Sequence, residues 1–85
     1  MQTTLATLST GSVATARGTR RTGEVLSLFE GHTARSHRQA RLRSAEGMEW
    51  TAPLPDLEAA TEAEADTYRA ARAEFIAARN ARAVS

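Results

Sequence analysis

Residues 24–30, Glu24-Val25-Leu26-Ser27-Leu28-Phe29-Glu30, are the densest apolar cluster in the chain, and Gly23 and Gly31 fence it on both sides. Whether it is helical or extended sets the architecture. Seven such residues fit a short strand, one or two helical turns, or an extended docking peptide, and periodicity does not separate the three in so short a run. The flanking segments have to decide it.

Downstream, residues 56–83 read as one long helix. Eleven of these 28 residues are Ala, the best helix former. Asp56, after Pro55, is one candidate N-cap, and Thr61 with Glu64 has capping-box spacing for a second start. Acids fill the front (Asp56, Glu58, Glu62, Glu64, Asp66) and Arg the back (Arg69, Arg72, Arg79, Arg82), which complements the helix dipole. Leu57, Ala60, Tyr68, Ala71, Phe75 and Ala78 mark a narrow apolar face, interrupted by Glu64.

Residues 32–46 fit a short helix with Thr33 as N-cap and Gly47 as its C′ residue, and Leu42 is its only large apolar residue. Residues 47–55 read as a linker, with Pro53 and Pro55 forcing extended backbone before them. Met48, Trp50 and Leu54 are placed to latch it onto a helix. Residues 1–23 contain no acid and are rich in Thr, Ser and Gly. That composition fits a flexible basic arm, and also an organelle transit peptide. The expected fold is therefore all-α: a flexible N-terminal arm (1–23), then a small helical region (24–85) with one or two short helices and the long C-terminal one. Val25, Leu26, Leu28, Phe29, Trp50, Leu54 and Leu57 are expected to cluster with Tyr68, Phe75 and Ile76.

Composition makes this a marginal chain. Leu, Ile, Val and Phe supply 13 of 85 residues, below the roughly 20% at which disorder becomes a serious reading. With no Cys there is no disulfide to help. Self-association or a partner protein is expected to complete the core. No apolar run approaches the roughly 18 residues of a membrane span.

Charge is unevenly laid out. Residues 1–43 carry seven Arg against Glu24 and Glu30, a formal +5, whereas residues 44–85 carry four Arg against eight acids, a formal −4. Every basic residue is Arg, which suits phosphate but also accompanies a GC-rich genome. The basic half points to a polyanion, DNA first, contacted by Arg17, Arg20 and Arg21 on the arm and by Arg35, Arg38, Arg41 and Arg43. His32 and His37 would add positive charge in mild acid. Leu26, Leu28 and Phe29 resemble the core of the short peptides that dock on the bacterial sliding clamp, although the usual leading Gln is absent. Together with Tyr68 and Phe75 they form the candidate protein-interaction surface, the basis of an alternative reading as a docking module.

A broader resemblance runs through residues 24–80. An apolar run ending in Gly31, an Arg-rich stretch, the Pro53-Leu54-Pro55 linker and an acidic Ala-rich helix resemble, in order and character, the N-terminal portion of small terminase subunits of tailed phages. His32 stands where that family often has Asn, and its Pro and Lys are missing from the basic stretch. The resemblance implies a non-enzymatic, oligomeric DNA-packaging adaptor in the cytoplasm of a bacterium or phage-infected cell. Catalytic groups are not expected: no Ser lies in a nucleophile elbow and the five Gly form no phosphate loop. Neither a metal site nor a cofactor is expected, because His32 and His37 are poorly spaced for a shared ion.

Overall fold

The computed structural model describes residues 8–30 and 38–84. It replaces the all-α expectation with a five-stranded antiparallel sheet and one C-terminal helix. The strands are β1 (Val13–Ala16), β2 (Thr22–Phe29), β3 (Gln39–Arg43), β4 (Glu49–Pro53) and β5 (Leu57–Ala59); the helix α1 is Glu62–Val84. Sheet order is β4-β3-β2-β1-β5.

That order forces curvature. β4 and β5 are opposite edges, yet only a 3-10 turn, Leu54–Asp56, separates them. Across a flat sheet the edges would lie about 19 Å apart. Four residue steps span at most about 14 Å even when fully extended. The sheet therefore rolls toward a barrel. Backbone bonds Leu54 N–H to Arg38 O (2.8 Å) and Arg17 N–H to Asp56 O (2.9 Å) tie the turn to both edges. The first bond also fixes the pairing phase, so Pro53, which has no N–H, faces outward from edge strand β4.

Alternation of strand side chains makes two cores. Inside the barrel, Ala14, Val25, Ala40, Leu42, Ala52 and Leu57 are buried, with Leu8, Leu28, Trp50 and Leu54 packed against them. Three of the six buried positions are Ala. Small interior residues permit the tight curl, which is how so few large apolar residues make a core. On the outside, Val13, Ala45 and Tyr68 form a second cluster under α1.

The middle of the chain departs from the all-α expectation, although a short strand was one of the readings open for residues 24–30. Residues 24–29 belong to strand β2, which carries an irregularity between Val25 and Ser27. Residues 39–43, expected in a helix, form β3, and the expected linker contains β4. Gly47 is not a helix C′ residue. It sits at φ +91° in the β3–β4 turn, where its N–H donates to Ser44 O at 3.0 Å. Both roles demand the same left-handed backbone, so the glycine signal alone did not separate them. Val13–Ala16 and Thr22–Gly23, expected in a flexible arm, are strand residues. Met1–Thr7 lie outside the described residues.

The C-terminal helix is present, but it starts at Glu62 rather than Asp56, because Leu57–Ala59 pair with β1. The capping box closes in both directions: Thr61 N–H donates to Glu64 Oε1 (2.9 Å) and Glu64 N–H to Thr61 Oγ1 (3.1 Å). At 23 residues the helix is about 34 Å long, longer than the barrel it covers. Every residue from Ile76 to Ala83 is exposed. The molecule is accordingly elongated, 51 × 30 × 21 Å.

Candidate binding groove

The β3–β4 hairpin turn and the front of α1 leave a cleft of about 560 Å³ between them. Ala45, Met48, Trp50, Ala63, Tyr68 and Ala71 supply its apolar walls, and Arg21, Glu46 and Glu64 contribute charged groups. Each wall is fixed by a contact that the local sequence dictates. Tyr68 is buried and its hydroxyl donates to Arg43 O (2.8 Å), pinning α1 to the end of β3. One turn further on, Arg72 Nη1 donates to Ala45 O (3.2 Å). Met48 is 70% exposed at the cleft margin. Trp50 packs against the barrel core over Gly23, and Arg21 stacks on its ring at 4.8 Å.

A buried-to-surface polar network holds the top of α1 to the barrel. Thr15, fully buried, bonds to Thr22 Oγ1 (3.1 Å) and donates to Glu64 Oε1 (3.3 Å). Arg20, at φ +59°, spans Glu58 (2.8 Å) and Glu64 (3.0 Å). The Thr61 N–H bond is the main force holding the Glu64 carboxyl below its ordinary pKa; Arg20 acts the same way, while burial partly opposes both. The bond to Glu58 raises the Arg20 pKa.

The residues singled out in the sequence are distributed as follows. Arg17, Arg20 and Arg21 do converge, on the β1–β2 hairpin, but Arg17 and Arg20 face Glu58 and Arg21 lies on Trp50. Arg38 meets Glu30 (3.2 Å), Arg41 meets Glu49 (3.5 Å) and Arg43 meets Glu24 (3.3 Å). The Arg43–Glu24 pair is half-buried; the other two are exposed, and exposed pairs contribute at most about 1 kcal/mol each. The described residues carry ten Arg and ten acids. Arg35, His32 and His37 lie outside the described residues.

Leu28 packs against the barrel core and Leu26 is half-buried in the same strand, while Phe29 is 37% exposed. Leu28 therefore faces the core, and Phe29, the next residue along the strand, stands on the opposite, exposed face. Tyr68 and Phe75 are separated in role: Tyr68 lines the cleft, and Phe75 reaches the backbone of Gly47 beyond it. Trp50 and Met48, expected to latch a linker onto a helix, instead line the cleft; the sequence signal was a lone Trp and a Met in a Pro-flanked stretch. Among the described residues no cluster of His, Cys, Asp and Glu could hold a metal ion, and no helix is long and apolar enough to cross a membrane.

Fold and cleft together define a small curled β-barrel carrying a long C-terminal helix with an apolar groove beside it. No family model, curated protein or solved structure matches the chain. The resemblance to small terminase subunits therefore rests on the sequence alone.

Proposed function

We propose that this protein is a non-enzymatic interaction module that docks a segment of protein in the Trp50–Tyr68 groove. The observation that carries the reading is an apolar, partly open cleft on a surface whose described charges balance. Clefts of this size suit one or two apolar anchor side chains, and an exposed Met adapts to varied partners. The setting proposed is the cytoplasm of a bacterial or phage-infected cell.

A second reading, contact with DNA as an assembly adaptor of the phage-packaging kind, has one observation in its favour. Arg17, Arg20 and Arg21 gather on a single hairpin beside an aromatic ring, an arrangement suited to phosphate and base together.

The two readings separate in one experiment. A displayed random peptide library is selected on the protein, and labelled duplex DNA is titrated at about 50 and 200 mM salt. The docking reading expects selected peptides whose binding is lost on Met48→Asp and depends weakly on salt. Absence of such peptides, with DNA affinity that falls steeply with salt and is weakened by Arg17→Ala with Arg21→Ala, would replace it with the second reading.

A further inference from the structure

Resting on the reading of the groove as a protein-docking site, we infer that its occupant is an extended partner segment with one bulky apolar side chain and, next to it, a single Asp or Glu held by Arg21. The charge layout of the barrel carries this. Six described Arg precede α1, and five of them meet a carboxylate: Arg17 and Arg20 meet Glu58, Arg38 meets Glu30, Arg41 meets Glu49 and Arg43 meets Glu24. Arg21 is the exception. Its guanidinium lies over the Trp50 ring at 4.8 Å, and no acid among the described residues pairs with it. The N–H donors of a guanidinium lie in its plane, so an Arg seated on an aromatic face still has its fork to offer. That fork matches a carboxylate with two parallel bonds.

Arg21 lines the groove together with Met48, Trp50 and Tyr68, so one occupant meets both the cation and the apolar walls. Contact with Trp50 restricts the Arg21 side chain before a ligand arrives, which lowers the ordering cost of binding. The remaining charges limit the occupant to one acid. Glu64 is already satisfied by Arg20, Thr15 and Thr61. Glu46, exposed on the β3–β4 turn, also lines the groove and repels an acidic run. The acid is a side chain rather than a chain terminus. Terminal carboxylates are captured by clustered backbone N–H groups, and here two donors of the turn are spent: Gly47 N–H on Ser44 O (3.0 Å) and Met48 N–H on Ser44 Oγ (3.1 Å).

The test selects the displayed peptide library on the full wild-type chain and, separately, on Arg21→Glu. Wild type is expected to select an Asp or Glu next to a bulky apolar residue, and Arg21→Glu to select Lys or Arg at that place. One wild-type peptide, made with an amidated C-terminus, is then titrated with Trp50, the single Trp of the chain, as fluorescent reporter. Replacing its acid by the corresponding amide leaves the protein untouched and is expected to raise Kd about three- to tenfold. Arg21→Lys, which keeps the charge but not the fork, is expected to weaken binding in the same direction. A peptide with Lys in place of the acid should recover affinity on Arg21→Glu. Arg21 is exposed, so its variants are expected to keep the fold, which circular dichroism checks. Selected peptides without an acid, an affinity unmoved by the acid-to-amide change, or binding that needs a free C-terminal carboxylate each overturns the inference. If such peptides still lose binding on Met48→Asp, the groove reading stands without it; if no peptide is selected, both fall.

Discussion

The ring of Trp50 lies on Gly23: a Cβ placed at residue 23 would sit 2.6 Å from Trp50 Cη2 and 2.9 Å from the carbonyl oxygen of Arg43. The second contact is backbone and cannot swing aside. This one close approach couples β2 to the β3–β4 hairpin and sets the wall of the groove.

Gly23→Ala is therefore expected to destabilise the fold by about 1–3 kcal/mol, the range typical of overpacking a tight core. It should also displace the indole, which tryptophan fluorescence reports directly. A variant with wild-type stability and an unchanged emission spectrum would contradict the packing described.

Tyr68→Phe removes only the hydroxyl that donates to Arg43 O. A neutral hydrogen bond of this kind contributes about 0.5–1.5 kcal/mol. Tyr68→Ala removes the ring as well and is expected to cost about 3–5 kcal/mol. Urea melts of the two variants measure the difference. Equal losses would mean that the ring does not pack as the second core requires.

Leu28→Ala separates a structural role from a docking role for the 26–29 segment. Leu28 packs against the barrel interior, so the expected result is a loss of about 2–4 kcal/mol in unfolding free energy. Intact stability with abolished partner binding would return that segment to the docking reading.

Glu64 makes stability depend on pH. Its folded pKa is held below the unfolded value, chiefly by the Thr61 N–H and further by Arg20. In acid the unfolded chain then binds the proton more readily than the folded one. The stabilising contribution is fully present above the ordinary carboxylate range and is lost as pH falls through the folded pKa. Thermal melts from neutral to acid pH should show a falling limb that Glu64→Gln flattens. Thr61→Ala, which removes one arm of the cap, is expected to cost about 1 kcal/mol. An acid limb identical in Glu64→Gln and wild type would remove Glu64 from this role.

How much was legible in the sequence follows from the range of the interactions involved. The body of α1, its Thr61–Glu64 cap and its charge polarity could be read directly, because each depends on residues three or four apart. The start at Asp56 was misread because Leu57–Ala59 gain more by pairing with β1, a partner more than 40 residues away in the chain. The 24–30 run was ambiguous for the same reason: a strand is stabilised by its neighbours across the sheet, and although Gln39-Ala40-Arg41-Leu42-Arg43 does alternate, Leu42 is its only large apolar residue and five residues are too short a run to separate strand from helix. An interior with Ala at positions 14, 40 and 52 also resembles helix-forming composition, since a small barrel and a helix both favour small residues.

The candidate site divides along the same line. Tyr68 was marked by its place on an apolar helical stripe, and the basic residues by charge alone. Their consequences were not visible, because an Arg is a phosphate ligand or one half of an ion pair according to what stands beside it. Arg41 with Glu49, or Arg20 with Glu58 and Glu64, became pairs only through strand register and hairpin position. A long, capped, charge-polarised helix and an overall balance of charge follow from local spacing and composition. The rolled sheet that precedes the helix, the seat of Trp50 on Gly23 and the groove beside Tyr68 do not. Those depend on contacts between residues far apart in the chain, whose energies no local pattern records.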